Sequence, residues 1–140
     1  MNIKQNKGIG SVDAVIAIVI LMIFTGIIAT ISTNIYTQSQ YIKRNDQATN
    51  LIVEIFEYAQ GILYDNVSSA NLTEYINNMY DNVNAIEGEY QEATKPTSGY
   101  TIFINVQDTY PNYIKQIDVT VAYKLKGKIK TVNMSTLINK

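Results

Sequence analysis

From Ala14 to Ile31 this chain carries no charged residue, and Val15, Ile16, Ile18, Val19, Ile20, Leu21, Met22, Ile23, Phe24, Ile27, Ile28 and Ile31 leave almost no polar face. A helix with one apolar stripe can settle on a soluble core, but one that is apolar all round needs an apolar solvent or a bundle around it. At 1.5 Å of rise per residue the run covers about 27 Å, close to the roughly 30 Å hydrocarbon core of a bilayer. Asp13 stands at its threshold. A carboxylate there costs free energy unless it reaches the headgroups or finds a partner, so it marks a functional position.

With 140 residues, the chain accommodates one membrane segment and one small domain. Net charge is close to balanced and names no partner. Cysteine and histidine are both missing, which excludes disulfides, thiolate metal sites and the commonest general base. No Gly-rich phosphate loop or catalytic constellation compensates, so the sequence reads as a non-enzyme without a cofactor or metal. Glu54 and Glu57 read as solvation on a helix flank. The acids between Glu87 and Glu92 are too loosely spaced for a calcium loop.

Ahead of the apolar run, residues 1–8 are short, polar and basic, with Lys4 and Lys7. A cleaved secretory signal has a shorter apolar stretch closed by a small-residue site, which does not occur here. Lys4, Lys7 and the α-amino group favour a cytoplasmic N-terminus, and no charge follows the span until Lys43. The motif Lys7-Gly8-Ile9-Gly10-Ser11-Val12-Asp13 resembles the class III signal of type IV prepilins. In that family a peptidase cuts after the Gly that ends a basic leader, and the mature protein keeps the apolar helix. The resemblance maps cleavage to Gly8/Ile9, N-methylation to Ile9, and a subunit-assembly role to Asp13, the fifth mature residue; a cut after Gly10 is the alternative and would put Asp13 third, a poorer match. Two departures are plain: Ile9 stands where the family usually has Phe, and Asp13 where it usually has Glu. The new ammonium at Ile9 would lie about one helical turn from Asp13, and a neighbouring subunit's ammonium can neutralise that carboxylate in a filament core. Archaeal pilins and archaellins share the Gly-then-helix logic, and Gly8-Ile9-Gly10 resembles some of their mature starts.

Downstream, Ala48, Leu51, Ile52, Ile55, Phe56, Ala59, Ile62 and Leu63 recur every three or four residues, one stripe of a helix. The spacing predicts one helix from about Ser11 to about Leu63, roughly 80 Å long if unbroken. Its first half is apolar all round and its second half amphipathic. Tyr36 and Tyr41 suit the outer membrane–water boundary, and Gly26 either allows close approach of a neighbouring helix or is simply tolerated. Asp65 to Ala70 reads as a turn. Asn71-Leu72-Thr73-Glu74 fits a capping box that starts a second helix from Leu72 to Val83. Glu87 to Gly99 reads as a loop. Alternation then marks three strands, around Tyr100–Val106, Ile117–Tyr123 and Ile129–Met134, with turns at Asp108–Asn112 and Lys126-Gly127.

The expected fold is therefore α+β: a long N-terminal helix packed on a small antiparallel β-sheet, pilin-like by resemblance. Its parts are a leader (1–8), a transmembrane or filament-core half-helix (9–31) and an exported globular domain (32–140). The resemblance implies a minor pilin or pseudopilin of a type IV pilus-like or type II secretion-like filament. Its partners would be a prepilin peptidase, other pilin subunits, and membrane lipid before assembly. The alternative is an uncleaved single-pass protein with an extracellular binding or sensing domain. Lys124, Lys126, Lys128 and Lys130 cluster on one hairpin; contact with an acidic face of the next subunit is the first reading and nucleic acid the weaker one. Asn66, Asn71 and Asn133 head N-glycosylation sequons, which are expected by chance in a chain this rich in Asn, Ser and Thr.

Overall fold

The long stripe becomes a single helical element. In the computed structural model, which describes residues 7–92, 96, 99–110 and 113–140, α1 runs Lys7–Gly61. The chain divides between Gln40 and Tyr41 into two compact units, and α1 contributes to both. In the first unit every large apolar side chain from Val12 to Ile35 is between 49% and 68% exposed. The hydroxyls in this stretch turn back on their own helix: Thr25 Oγ1 donates to the Leu21 carbonyl at 2.7 Å, Thr30 to Gly26 at 2.9 Å and Thr33 to Ala29 at 2.5 Å. These three hydroxyls are thus satisfied without water, as an apolar surrounding demands.

The second unit is a helix-on-sheet layer. Ala48, Leu51, Ile52, Ile55 and Ala59 are the buried face of α1, and Phe56 and Ile62 pack at its border. Leu63 was expected on this stripe but is 76% exposed, because α1 ends at Gly61 and the chain turns away. A short 3₁₀ turn, Tyr64–Asn66, leads to buried Val67 and then to α2, Ser69–Met79. The predicted Asn71 cap moves back to Ser68, whose extended backbone lets its Oγ accept from Asn71 N–H at 3.2 Å. Asn71 lies in the first turn instead, and its Nδ2 donates to the Asn66 carbonyl at 2.7 Å.

The second helix does not reach Val83. It ends at Met79, and Val83–Glu87 is a strand, β1, where helical spacing had been expected. The sheet is therefore mixed and four-stranded, in the order β1-β2-β3-β4, with β2 at Tyr100–Tyr110, β3 at Ile114–Leu125 and β4 at Lys128–Asn139. The expected antiparallel meander is β2–β3–β4, and β1 adds a parallel pair, Val83 opposite Tyr100 through Glu87 opposite Ile104. A parallel pair needs a long connection, and residues 88–99 supply it. Part of this connection (93–95, 97 and 98) and the predicted turn residues Pro111 and Asn112 lie outside the described residues, as do Met1 to Asn6, with Lys4, of the expected leader.

Alternation sends Ile102, Ile104, Ile117, Val119, Val121 and Tyr123 into the core against α1 and α2. The reverse face was expected to be polar, yet Thr101, Phe103 and Ala122 are buried there too. The connection contributes cover over Phe103, which the Tyr90 ring meets edge-on at 5.2 Å, and Pro96 within it is buried. Gly99, at φ +78°, starts β2; a Cβ there would stand 2.2 Å from the Asn82 carbonyl oxygen. The β3–β4 turn forms at Lys126-Gly127, both with positive φ, between the paired Leu125 and Lys128, as a tight two-residue hairpin requires.

Candidate functional site

The residues singled out for processing and assembly stand at the start of α1. Gly8 and Ile9 fall within the helix, while their side chains lie outside those described. Asp13 is exposed, one helical turn beyond Ile9, with no hydrogen-bond or ion-pair partner among the described residues. Beyond it the apolar run is long enough to cross a membrane, and none of its apolar window is buried in this chain. A helix that served as a soluble core would be covered; this one leaves its whole circumference free for lipid or for other helices.

The three sequon asparagines, Asn66, Asn71 and Asn133, are all exposed. Asn66 and Asn71 share the bond that closes the start of α2, and Asn133 lies on β4. Lys124, Lys126, Lys128 and Lys130 are exposed around the β3–β4 turn.

Two charged groups, Glu54 and Lys115, take part in structure. Glu54, expected on a solvated flank, is half-buried: Tyr80 Oη donates to its Oε2 and Tyr75 Oη to its Oε1, the latter at 3.4 Å. The hydrogen bond to this carboxylate is the main cause that pushes the Tyr80 hydroxyl up to about 12, with burial second. Burial first, then the Glu54 charge, raises Tyr75 as well. Tyr75 also stacks on Tyr58 at 3.7 Å, so α1 and α2 are joined by ring contact and by hydroxyl bonds. Glu57 is exposed, as expected. Lys115 donates its Nζ to the Tyr64 carbonyl at 3.0 Å and the Val67 carbonyl at 2.7 Å, and sits 4.7 Å over the Tyr64 ring. Its place in the odd-numbered, inward-facing set of β3 was the available signal.

Asn77, like Lys115, is a residue the sequence did not single out. Its side-chain amide donates to the Ala85 carbonyl at 3.1 Å and accepts from Ala85 N–H at 2.8 Å. A side chain thereby plays the part of a neighbouring strand along the outer edge of β1. Beside it, Leu51, Val83 and Tyr100 line an open cleft of about 360 Å³ whose rim includes Gln47, Glu54 and Tyr80. These features hold the second unit together, and the chemistry-bearing candidates remain at the N-terminal end of α1. Compared with known protein families, curated proteins and solved structures, the chain matches none.

Proposed function

We propose that this chain is a type IV pilin-like structural subunit, a minor pilin or pseudopilin, inserted through α1 with its N-terminus cytoplasmic. On this reading a prepilin peptidase cuts between Gly8 and Ile9, Ile9 is methylated, and the helix then leaves the membrane for a filament core. The observation that carries it is the uncovered apolar half of α1, headed by Asp13, on the same helix whose later half is the core of a compact domain. A simple anchor needs the apolar length only. A filament subunit also needs a register device in the bundle, and a lone carboxylate one turn from a new ammonium supplies it. Leaving such a charge unpaired in an apolar core costs about 3–5 kcal/mol, so pairing favours one stagger between neighbours.

The test is the mass of the membrane-inserted protein with and without a co-expressed prepilin peptidase. Loss of residues 1–8 is the expected result. An unchanged mass in both samples sinks this reading and leaves the uncleaved single-pass protein with an external binding domain. Asp13→Ala should insert into membranes as the parent does and fail to enter filaments; normal incorporation removes the role assigned to Asp13.

A further inference from the structure

Six cationic side chains of the second unit, Lys43, Arg44 and the lysines at 124, 126, 128 and 130, gather at one end of it, while Lys115 and Lys140 stand by Tyr64 at the other. Lys130 Nζ lies 5.9 Å from the Tyr41 ring. Tyr123, opposite Lys130 in the ladder, meets the Tyr100 ring edge-on at 5.7 Å. Tyr100 in turn lies 5.8 Å beneath the Arg44 guanidinium and donates its hydroxyl to Gln47 at 2.7 Å. At the other end of the same strands, Lys115 reaches the carbonyls of Tyr64 and Val67, beyond the end of α1. The β3–β4 turn therefore lies at the end of the unit where the chain enters it. Lys126 extends about 10 Å past the Tyr123–Lys130 pair at 3.3 Å per residue.

Exposed lysines at 124, 126, 128 and 130 thus share this end with Lys43 and Arg44. No acidic residue occurs beyond Asp118, and α1 has none between Asp13 and Asp46. Protection of a strand edge does not explain the placement. The outer strand β4 has no charge from Thr131 to Asn139, where its free edge is longest, and the lysines crowd the tip instead. The chain from Ile31 to Tyr41 is uncharged and can span at most about 36 Å. Whatever surface the apolar run enters is consequently presented to this basic end at high effective concentration.

We propose that the β3–β4 tip, together with Lys43 and Arg44, is a docking surface for the anionic phospholipid headgroups of the bilayer that α1 enters. This rests on the membrane reading of α1, and holds for a pilin subunit before assembly and for an uncleaved anchor alike. Each basic residue near a negative surface adds attraction that falls off within a Debye length.

Because the chain lacks cysteine, Thr131→Cys provides a single attachment point for a fluorophore beside the tip. The labelled full chain is reconstituted in phosphatidylcholine vesicles, with or without about one-third phosphatidylglycerol, carrying a headgroup-linked quencher; flotation reports insertion separately. Anionic lipid should increase occupancy of the quenched state about tenfold or more, and raising salt should reverse it. Replacing the tip lysines at 124, 126, 128 and 130 with Gln should abolish the increase, and replacing them with Arg should keep it. Equal quenching in neutral and anionic vesicles overturns the proposal, as does an unaltered response in the Gln variant. Tip protection that depends only on protein density in neutral bilayers overturns it in favour of a second copy. Uptake of a short DNA duplex without a response to lipid overturns it in favour of nucleic acid. Failure to float removes the membrane reading itself and this inference with it, and wild-type salt dependence tests the proposal without any variant.

Discussion

Glu54→Gln isolates the bond that joins the second half of α1 to the chain after α2. The carboxylate accepts from Tyr80 at close range and from Tyr75 at 3.4 Å, near the outer limit of a useful hydrogen bond. A hydrogen bond to a charged group contributes about 1.5–3 kcal/mol and a neutral one about 0.5–1.5 kcal/mol. Glutamine keeps one carbonyl acceptor and loses the charge, so the Tyr80 bond weakens by roughly 1–1.5 kcal/mol while the long Tyr75 bond contributes little. For a domain of this size a loss of about 1 kcal/mol lowers Tm by roughly 4–8 °C. The assay is urea unfolding of the detergent-solubilised protein, read by near-ultraviolet circular dichroism of its tyrosines. A pH series adds a second readout. Tyr80 ionises at about 12 in the fold against an ordinary 10.0, so the protonated hydroxyl is favoured by folding. That stability is fully present below pH 10 and is lost as pH rises from 10 towards 12. Glu54→Gln removes the largest cause of the shift, and the alkaline loss should become shallower. A stability change below about 0.5 kcal/mol, or an unaltered alkaline limb, would refute this account. In a double-mutant cycle with Tyr80→Phe, the two losses should be less than additive.

Gly99→Ala combines a positive φ with a Cβ placed 2.2 Å from the Asn82 carbonyl oxygen. It should cost about 2–4 kcal/mol and speed hydrogen exchange in β1 and the start of β2. Tyr123→Phe should be neutral or stabilising, because the buried Tyr123 hydroxyl has no hydrogen-bond partner among the described residues and burying it unpaired costs about 1–3 kcal/mol; a loss above about 1 kcal/mol in urea unfolding would count against that. Asn77→Ala strips both bonds from Ala85 and should cost about 1–3 kcal/mol. Measured by sedimentation, it should also raise self-association, since the edge of β1 is opened; a monodisperse variant of parental stability would argue against the edge-blocking role.

What the sequence disclosed was whatever repeats with a single period. The α1 stripe and the alternation in β2, β3 and β4 are such signals, and so is the positive-φ pair at Lys126-Gly127. Strand β1 was hidden because Val83 and Ile86 continue the spacing set by Leu72, Tyr75, Ile76, Met79 and Tyr80 as if α2 went on. What ends the helix is tertiary: β2 offers a parallel partner, and Asn77 turns its amide towards Ala85 rather than towards solvent. Phe103 was assigned to a polar face by alternation alone, since nothing local announces that Tyr90 will cover it. The shift of the α2 cap from Asn71 to Ser68 follows from two good capping residues three positions apart, of which Ser68 has the extended backbone that a cap requires. The apolar run was the most legible part, because the absence of charge over that length is a property of the chain rather than of its packing.

The charge distribution links the proposed processing to the proposed lipid contact. Before cleavage, Lys4, Lys7 and the α-amino group lie on one side of the apolar run, with Lys43 and Arg44 on the other. Charge alone then gives only a slight preference for the N-terminus inside, since residues within about 15–20 positions of the span ends carry the weight. The proposed cut after Gly8 would remove both leader lysines and leave an ammonium that Asp13 can neutralise, so the mature chain would keep its lysines and its arginine on the folded side alone. On the proposed lipid contact, those at the β3–β4 tip would resist extraction of the helix for as long as the surface beneath them is anionic. It follows that Lys-to-Gln changes at 124, 126, 128 and 130 should hasten departure of the cleaved subunit into filaments without altering the cut itself. The measurement is the rate at which labelled subunit leaves the membrane fraction in cells that assemble fibres. An unchanged rate, with cleavage intact, would mean that headgroup attraction does not oppose extraction and that the apolar run alone sets the barrier.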